Sequence, residues 1–184
     1  MVATTLLKLQ GHSVGLSRVD NNPPVDDLKS LLQLRAKFSG LASTPSLVQL
    51  PLDVVVAENP YARPRVVDFS RGEVVLPQES IYDIGPKTMR HYATFLRRAR
   101  TVVWNGPMGY IESRQFRHGS MVIAELVALR SKGRAFGVVG GGESLSVLDQ
   151  TRLTEYVDFI STGGGAMLEL LSGRKLPGLE ALSR

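Results

Sequence analysis

The sequence contains no cysteine, a single tryptophan and no long apolar run. Without cysteine the chain has no disulfides, no thiol catalysis and no cysteine-ligated metals. No stretch approaches the roughly 18 apolar residues that a membrane-spanning helix needs. The first residues, MVATTLLKLQGHS, also lack the layout of a signal peptide. With 43% hydrophobic and 21% charged residues, the 184-residue chain has a globular composition, and we expect it in the cytoplasm.

The chain is basic, with a net charge of +5 and a pI near 9.7. Residues 93–184 carry 12 basic and 8 acidic side chains, whereas residues 1–92 carry 10 and 9, so the excess lies in the second half. Its densest cluster is Arg97, Arg98 and Arg100. No aromatic residues interleave with this cluster, as a surface that stacks nucleic-acid bases requires. The charge therefore favours a basic surface or an anionic ligand, and we do not expect nucleic-acid binding as the main task.

Short β-rich runs alternate with longer amphipathic runs, which is typical of an α/β fold with parallel strands. The predicted strands cover 47–57, 101–104, 135–139 and 157–160. The predicted helices cover 2–10, 25–38, about 83–99, about 113–129, and the stretches that follow two glycine runs as far as 149 and 171. Residues 59–80 are rich in proline, arginine and serine, and we expect a surface hairpin or excursion there.

Three successive predicted strands end in a loop of small residues that leads into a helix: NGPMG (105–109), GGGES (140–144) and STGGGA (161–166). In open α/β sheets, ligands bind outside the carboxyl ends of the strands, where such loops gather. Glycines before a helix let backbone N–H groups approach an anion, and the helix dipole adds positive charge. The loops therefore predict a phosphorylated ligand. None of them contains GxxxxGK[ST] or GxGxxG, so neither the P-loop nor the dinucleotide fingerprint applies.

Two acidic residues, Glu112 and Glu143, stand beside these glycines. A carboxylate next to a phosphate site is useful when it holds Mg²⁺ or a ribose hydroxyl. On spacing alone, an acid that stabilises the N-terminal end of a helix explains each residue equally well, and both interpretations stay open.

Several long motifs resemble the C-terminal half of phosphoglycerate kinase. They are TVVWNGPMGYIE (101–112), GVVGGGES (137–144) and STGGGAMLELLSGRKLPGLEAL (161–182), with QLPLDVVVAE (49–58) and DIGPKT (83–88) as further matches. The resemblance covers the whole chain. It implies a Rossmann-like, three-layer α/β/α fold with a mainly parallel sheet, in which residues 1–184 form part of the family's C-terminal nucleotide-binding domain. The family's N-terminal domain and the start of its C-terminal domain have no counterpart, so the first strands of the sheet are expected to be missing.

The resemblance implies the glycolytic transfer of a phosphoryl group between 1,3-bisphosphoglycerate and ADP, which gives 3-phosphoglycerate and ATP with Mg²⁺ as cofactor. The residues that it assigns to nucleotide binding are Leu50, Asn105, Gly106, Pro107, Tyr110, Glu112, Gly140, Gly141, Gly142, Glu143 and Ser144. Among these, Leu50 is expected to line the adenine pocket and Glu112 to bind the ribose. Glu143 is the implied Mg²⁺ ligand, although the family usually has the shorter aspartate there. The catalytic N–H groups are assigned to Gly163, Gly164 and Gly165.

Since the family's phosphoglycerate site has no counterpart, we expect 3-phosphoglycerate and 1,3-bisphosphoglycerate to bind only when the missing N-terminal part is supplied. The family is usually monomeric, but this chain is expected to need a completing segment or partner and to be inactive alone. A fragment of a longer polypeptide, a split subunit and a degenerate relative all fit, and the first two are favoured. The alternative function is a non-catalytic module that binds a partner protein or an anionic polymer. No membrane partner is expected.

Overall fold

The computed structural model describes residues 1–33 and 47–182, in two compact units, Met1–Tyr92 and Ala93–Arg184. The first unit contains α1 (Val2–Leu9), α2 (Val25–Gln33), β1 (Asp53–Ala57), β2 (Arg65–Asp68) and β3 (Ser80–Ile84), and α3 (Pro86–Leu96) crosses into the second. The second unit continues with β4 (Thr101–Asn105), α4 (His118–Ser131), β5 (Phe136–Gly140), α5 (Gly142–Thr151), β6 (Phe159–Ser161), α6 (Gly164–Leu171) and α7 (Pro177–Leu182). None of the helices in the described ranges is long and apolar enough to cross a bilayer.

The first unit is built on an antiparallel sheet with the strand order β2-β1-β3. Valines of β1, of β2 and of the segment between β2 and β3 pack into an almost fully buried core: Val54, Val56, Val67 and Val75, with Phe69 and Ile81 against it. The sequence predicts parallel strands, and this sheet is the exception. The connection from β1 to β2 has only seven residues, whereas a parallel crossover needs about a dozen or more, so the chain returns as a hairpin.

Two predicted boundaries in the first unit are wrong. The strand expected over 47–57 begins only at Asp53, and β3 takes residues that were expected to start a helix. The helix α3 begins instead at Pro86, where the missing N–H of proline costs nothing. For the helix predicted over 25–38, the described part ends at Gln33, and residues 34–38 lie outside the described residues.

The second unit is built on a parallel sheet with the strand order β4-β5-β6. Trp104 of β4 is 4% exposed, and Val139 of β5 is fully buried. Both α4 and α5 pack against β5, and they contribute the buried Val127 and Leu148. The predicted α/β fold with a parallel sheet is confirmed here.

Helix ends in both units follow the glycines of the sequence. The helix α1 ends before Gly11 (φ +88°) and α6 before Gly173 (φ +80°), and this left-handed backbone is the conformation that glycine adopts most easily. The helix α4 begins at His118, five residues later than predicted, because Arg114–Phe116 form a separate 3₁₀ turn. The terminal helix α7 was not predicted.

Candidate functional site

The carboxyl ends of the three parallel strands lie side by side. Asn105 at the end of β4 is paired in register with Gly140 of β5, and Gly140 is paired with Ser161 of β6. The glycine-containing loops that follow these strands therefore start from neighbouring positions on one edge of the sheet. This is the place where open α/β sheets bind ligands.

The two glycine runs meet around the side chain of Asn105. Gly141 has a φ of +87°, and a Cβ placed on it would lie 2.6 Å from Asn105 Oδ1. A Cβ on Gly164 would lie 2.7 Å from the backbone nitrogen of Gly141. The Asn105 Nδ2 group donates to the Gly164 carbonyl at 3.4 Å. Because Gly141 and Gly164 stand at the starts of α5 and α6, the positive ends of both helices converge on one point.

The first turns of both helices leave backbone N–H groups available. In α5 the residue that donates back to Gly141 is Leu145 (3.1 Å), and in α6 the residue that donates back to Gly163 is Met167 (2.9 Å). The preceding N–H groups of each first turn have no partner within their helix. Neither helix has a capping side chain in the described structure. Of the residues in these two turns, Gly142, Glu143 and Gly165 are exposed, so their N–H groups can reach an external acceptor.

Three glycines of these runs are not required by packing. A Cβ on Gly142 or Gly165 would meet nothing within 4 Å, and one on Gly163 would meet only Ala166 at 3.8 Å. None of the three has a positive φ. Glycine inside a helix costs about 0.5–1 kcal/mol relative to alanine, so Gly142 and Gly165, in the first turns of α5 and α6, lose stability without a reason in the packing. Open space beside free N–H groups fits a ligand that approaches the backbone closely.

Two buried serines hold the loop after β4 in place. Ser144 Oγ accepts a hydrogen bond from Gly106 N at 2.8 Å, and Ser120 Oγ accepts from Met108 N at 2.9 Å. Both side chains are fully buried. The Ser144 side chain therefore faces the protein. Ser120 was not predicted, and its sole signal in the sequence is a small hydroxyl residue in the first turn of α4.

Glu112 and Glu143 are exposed, and neither forms a hydrogen bond or ion pair with the described part of the chain. Glu143 lies in the first turn of α5. Within the described ranges no three His, Asp or Glu side chains form a group that could hold a metal ion. A single free carboxylate fits Mg²⁺, which is usually bound by one or two carboxylates together with substrate phosphates. It does not provide a metal cage made of protein alone.

The remaining predicted site residues are divided between the units. Pro107 is half-buried, and Tyr110 is 40% exposed on the loop after β4. Gly140 is buried at the end of β5, where a Cβ would lie 2.5 Å from Cε of the flexible Met167 side chain, which would have to move aside. Leu50 is half-buried and belongs to the first unit, where it precedes β1.

The titratable groups with displaced pKa values lie in the first unit. Arg65 hydrogen-bonds the buried Glu79 and holds the pKa of that carboxyl below its usual value, while the pKa of the guanidinium is raised. The hydroxyl and backbone N–H of Ser70 lower the pKa of Asp68. Burial raises the pKa of Tyr92 to about 12. These groups bond one another or the backbone, so they hold the fold together and form no second site.

The sequence model of the family described as phosphoglycerate kinase matches residues 1–174. The chain belongs to the phosphoglycerate kinase family. It is 36% identical over 184 residues to the phosphoglycerate kinase of Coxiella burnetii, with all of this chain and 44% of that protein covered. It is 41% identical to the phosphoglycerate kinase of Thermomicrobium roseum, over 98% of this chain and 43% of that protein.

The fold is also that of the family. The solved structure of the Coxiella burnetii phosphoglycerate kinase superimposes with a TM-score of 0.79 at 35% identity, over 97% of this chain and 44% of that one. The chain therefore spans less than half the length of the phosphoglycerate kinases that it matches. The resemblance seen in the sequence motifs is confirmed.

Proposed function

We propose that this chain supplies the Mg-nucleotide site of a phosphoglycerate kinase. The observation that carries the proposal is the convergence of two uncapped helix N-termini, those of α5 and α6, at Asn105 on the edge of the parallel sheet. Two positive helix ends with free N–H donors suit a ligand that carries several phosphate charges. ADP and ATP, the nucleotides that phosphoglycerate kinases use, are ligands of this kind.

In this proposal the backbone performs most of the chemistry. The N–H groups of Gly163, Gly164 and Gly165 donate to the phosphoryl group in transit, and those of Gly142 and Glu143 donate to the nucleotide phosphates. The phosphoryl group passes from the acyl phosphate of 1,3-bisphosphoglycerate to the terminal phosphate oxygen of ADP. Such a transfer needs positioning and charge neutralisation more than a nucleophilic side chain. The described loops offer those two properties.

The exposed acids have separate proposed tasks. Glu112 accepts hydrogen bonds from the ribose hydroxyls, and Glu143 holds Mg²⁺ from the side of α5. When bound, Mg²⁺ neutralises negative charge on the phosphates. Tyr110, Pro107 and Leu50 are proposed to contact the base. The reaction as a whole, the phosphoglycerate substrates and the cytoplasmic location stay predictions, because the chain spans 44% of its relative from Coxiella burnetii.

Thermal unfolding with and without Mg-ADP tests the nucleotide site. A ligand at about 100 times its dissociation constant stabilises the folded state by about 2.7 kcal/mol, which shifts a chain of this size by several degrees. We expect EDTA to reduce the shift. Replacing Gly142 by Asp should abolish it, since a carboxylate placed in the open space beside α5 repels the phosphates. Gly142→Asn has nearly the same shape without the charge and should keep a larger part of the shift.

The matched pair separates the effect of charge from an effect on folding, because a Cβ at Gly142 meets no atom within 4 Å and the position needs no left-handed backbone. Substitution of Arg97 and Arg98 by Gln should leave the nucleotide response unchanged. A cooperative transition that Mg-ADP does not move contradicts the proposal. Equal losses in the Asp and Asn variants also contradict it, since the phosphate charge would then play no part.

A further inference from the structure

The amino ends of the parallel strands β4 and β5 carry a cluster of basic side chains. Two short segments lead into these strands, residues 97–100 from α3 and residues 130–134 from α4. Phe136 N donates to the Arg100 carbonyl at 2.8 Å, and Arg130 Nη2 donates to the Ala99 carbonyl at 2.8 Å. These bonds hold the two segments side by side. We name their cations the basic edge: Arg97, Arg98, Arg100, Arg130, Lys132 and Arg134.

No carboxylate in the described part of the chain neutralises the basic edge. None of its six cations forms an ion pair with residues 1–33 or 47–182. The sequence has no acidic residue between Asp83 and Glu112, and none between Glu125 and Glu143. Five of the six side chains are exposed, and Arg130 is half-buried. The basic edge therefore presents its positive charge to solvent.

Helix ends explain only part of this charge. A cation near the C-terminus of a helix stabilises it, but the effect falls off beyond the last turn. Arg130 lies in the last turn of α4, and Lys132 follows that helix directly. Arg100 and Arg134 lie beyond the ends of α3 and α4, beside the starts of the strands. Because like charges repel one another, the fold alone gives no reason to gather these cations.

The basic edge lies at the opposite end of the strands from the glycine loops. With a rise of about 3.3 Å per residue, Thr101 at the start of β4 is about 13 Å from Asn105 at its end. The helix starts of α5 and α6 meet at Asn105. An anion at the basic edge is therefore distinct from a phosphate bound at the glycine loops, and both can be bound at the same time.

The surroundings of the basic edge favour a short acidic polypeptide over nucleic acid. At the start of β6 the charge changes sign, because Glu155 and Asp158 are exposed there, and Asp158 Oδ2 accepts from Gly137 N at 2.7 Å. These acids confine the basic surface to the starts of two strands, about 4.8 Å apart, and they repel a long phosphate backbone. One face of the Tyr156 ring is occupied by Lys132 Nζ, 4.4 Å from the ring centroid, and is not available to stack on a base.

We propose that the basic edge binds an acidic segment of a partner polypeptide, with glutamate or aspartate side chains as the recognised groups. Five of its six cations are arginines, whose planar guanidinium groups bind carboxylates through two parallel hydrogen bonds. The hydrogen bonds between the two segments fix their backbones, so the cations are gathered before the partner arrives. This interaction goes beyond the nucleotide site and does not depend on it.

Fluorescence anisotropy with a fluorescein-labelled polyglutamate peptide tests the proposal on the full chain, without nucleotide. We expect the peptide to bind and its affinity to fall as the ionic strength rises, because exposed charges are screened by salt. The triple variant Arg97→Gln, Arg98→Gln, Arg100→Gln should weaken binding at least about tenfold, since three exposed ion pairs are lost. Its thermal unfolding temperature should stay close to that of the unmodified chain, because all three side chains are exposed.

The matched control removes the same charge from the first unit. Lys8, Arg18 and Arg63 are exposed, and Lys8→Gln, Arg18→Gln, Arg63→Gln lowers the net charge of the chain by the same three units. This variant should bind the peptide almost as well as the unmodified chain. Equal weakening in the two triple variants overturns the proposal, since the net charge rather than the basic edge would then attract the peptide.

Labelled single-stranded RNA and duplex DNA oligonucleotides test the other class of polyanion. If an oligonucleotide binds, the basic-edge variant loses that binding and the polyglutamate peptide does not bind, the partner is nucleic acid and the proposal is wrong. Absence of binding by every probe also overturns it. Since nucleotide is absent from these measurements, each of these failures leaves the Mg-ADP test unaffected.

Discussion

The start of α3 and the starts of α5 and α6 are treated in opposite ways. In the first unit, Asp53 of β1 places its buried carboxylate at the N-terminus of α3. It accepts hydrogen bonds from Lys87 N at 2.9 Å and Thr88 N at 2.7 Å. In the second unit, α5 and α6 begin at glycines and have no capping side chain in the described structure. The first unit fills its helix end with its own anion, and the second leaves two ends open.

The difference distinguishes a helix end that stabilises the fold from helix ends that can bind a ligand. Where an internal carboxylate caps the helix, the N–H donors are used up and the fold gains stability. Where glycine stands instead, the donors stay free at a cost in stability, and an external anion can take the place of the carboxylate. The charged side chains Arg65, Asp68, Glu79 and Lys87 of the first unit are likewise paired with one another. We expect substitutions in the first unit to affect stability, and those at the open helix ends to affect ligand binding.

Asp53→Ala should have the largest effect on stability. The substitution leaves the N–H groups of Lys87 and Thr88 without an acceptor, and the Thr88 hydroxyl loses its bond to Asp53 Oδ1 (2.6 Å). Unsatisfied buried donors of this kind lead us to expect a loss of about 3 kcal/mol. Urea denaturation measures the loss, and hydrogen exchange should locate it at the start of α3.

Asp26→Ala is the control for Asp53→Ala, because Asp26 is an exposed acid in the first turn of α2. Its loss should cost no more than about 0.5 kcal/mol. Similar losses in the two variants contradict the view that Asp53 acts as an internal cap.

Gly164→Ala and Gly165→Ala should differ sharply although they are neighbours. A Cβ at Gly164 would lie 2.7 Å from Gly141 N, so the contact between the two helix starts must open, at a cost of about 2 kcal/mol. A Cβ at Gly165 meets no atom within 4 Å, and alanine favours the helix there. Gly165→Ala should keep or raise the unfolding temperature and weaken the response to Mg-ADP, because its methyl group occupies the space beside the free N–H groups.

Thermal unfolding with and without Mg-ADP checks both glycine variants. If Gly165→Ala responds to nucleotide like the unmodified chain, the open space at that glycine is not used by the phosphates. If Gly164→Ala is as stable as the unmodified chain, the close approach of α5 and α6 is not part of the fold.

The sequence predicted the second unit better than the first. Strand, glycine loop and helix repeat three times between Thr101 and Leu171, and local periodicity is enough to place each element. The antiparallel pairing of β1 with β2 and β3 depends on contacts up to 30 residues apart, such as Val54 with Ile84 and Asp53 with Asp68, that no local pattern expresses. The start of α3 was predicted at about residue 83, with Pro86 in its first turn, and it lies at Pro86; the side chain that caps it, Asp53, lies more than 30 residues earlier.

The prediction of the site from the sequence was limited in a similar way. The glycine runs and the two acids are visible in the sequence, and the strand register brings the runs together at Asn105. The sequence does not distinguish Gly141 and Gly164, which packing requires, from Gly142 and Gly165, which it does not. Nor does the sequence reveal that the Ser144 hydroxyl accepts a hydrogen bond from the backbone N–H of Gly106. These distinctions depend on three-dimensional contacts between the loops.

Glu79→Gln should give the smallest of these effects and is also sensitive to pH. Arg65 Nε donates to Glu79 Oε1 at 2.7 Å, and Leu76 N donates to the same carboxylate. Glutamine keeps an acceptor, and the Arg65 side chain is 40% exposed, so the loss at pH 7 should be about 1 kcal/mol. The hydrogen bond from Arg65 lowers the pKa of Glu79 below its ordinary value of 4.5. The contribution of the pair is therefore complete above that value and is lost as the pH falls through the lower pKa of the folded state.

Urea denaturation between pH 7 and pH 3 measures this dependence. The difference in unfolding free energy between the unmodified chain and Glu79→Gln should stay constant down to about pH 5 and shrink below it. Arg71→Ala is the control, since Arg71 is exposed and lies 3.7 Å from Asp68, and it should change stability little at any pH. A difference that persists unchanged at pH 3 shows that the charge on Glu79 does not contribute. The contribution of Glu79 would then rest on its packing and on hydrogen bonds that an uncharged side chain can also accept.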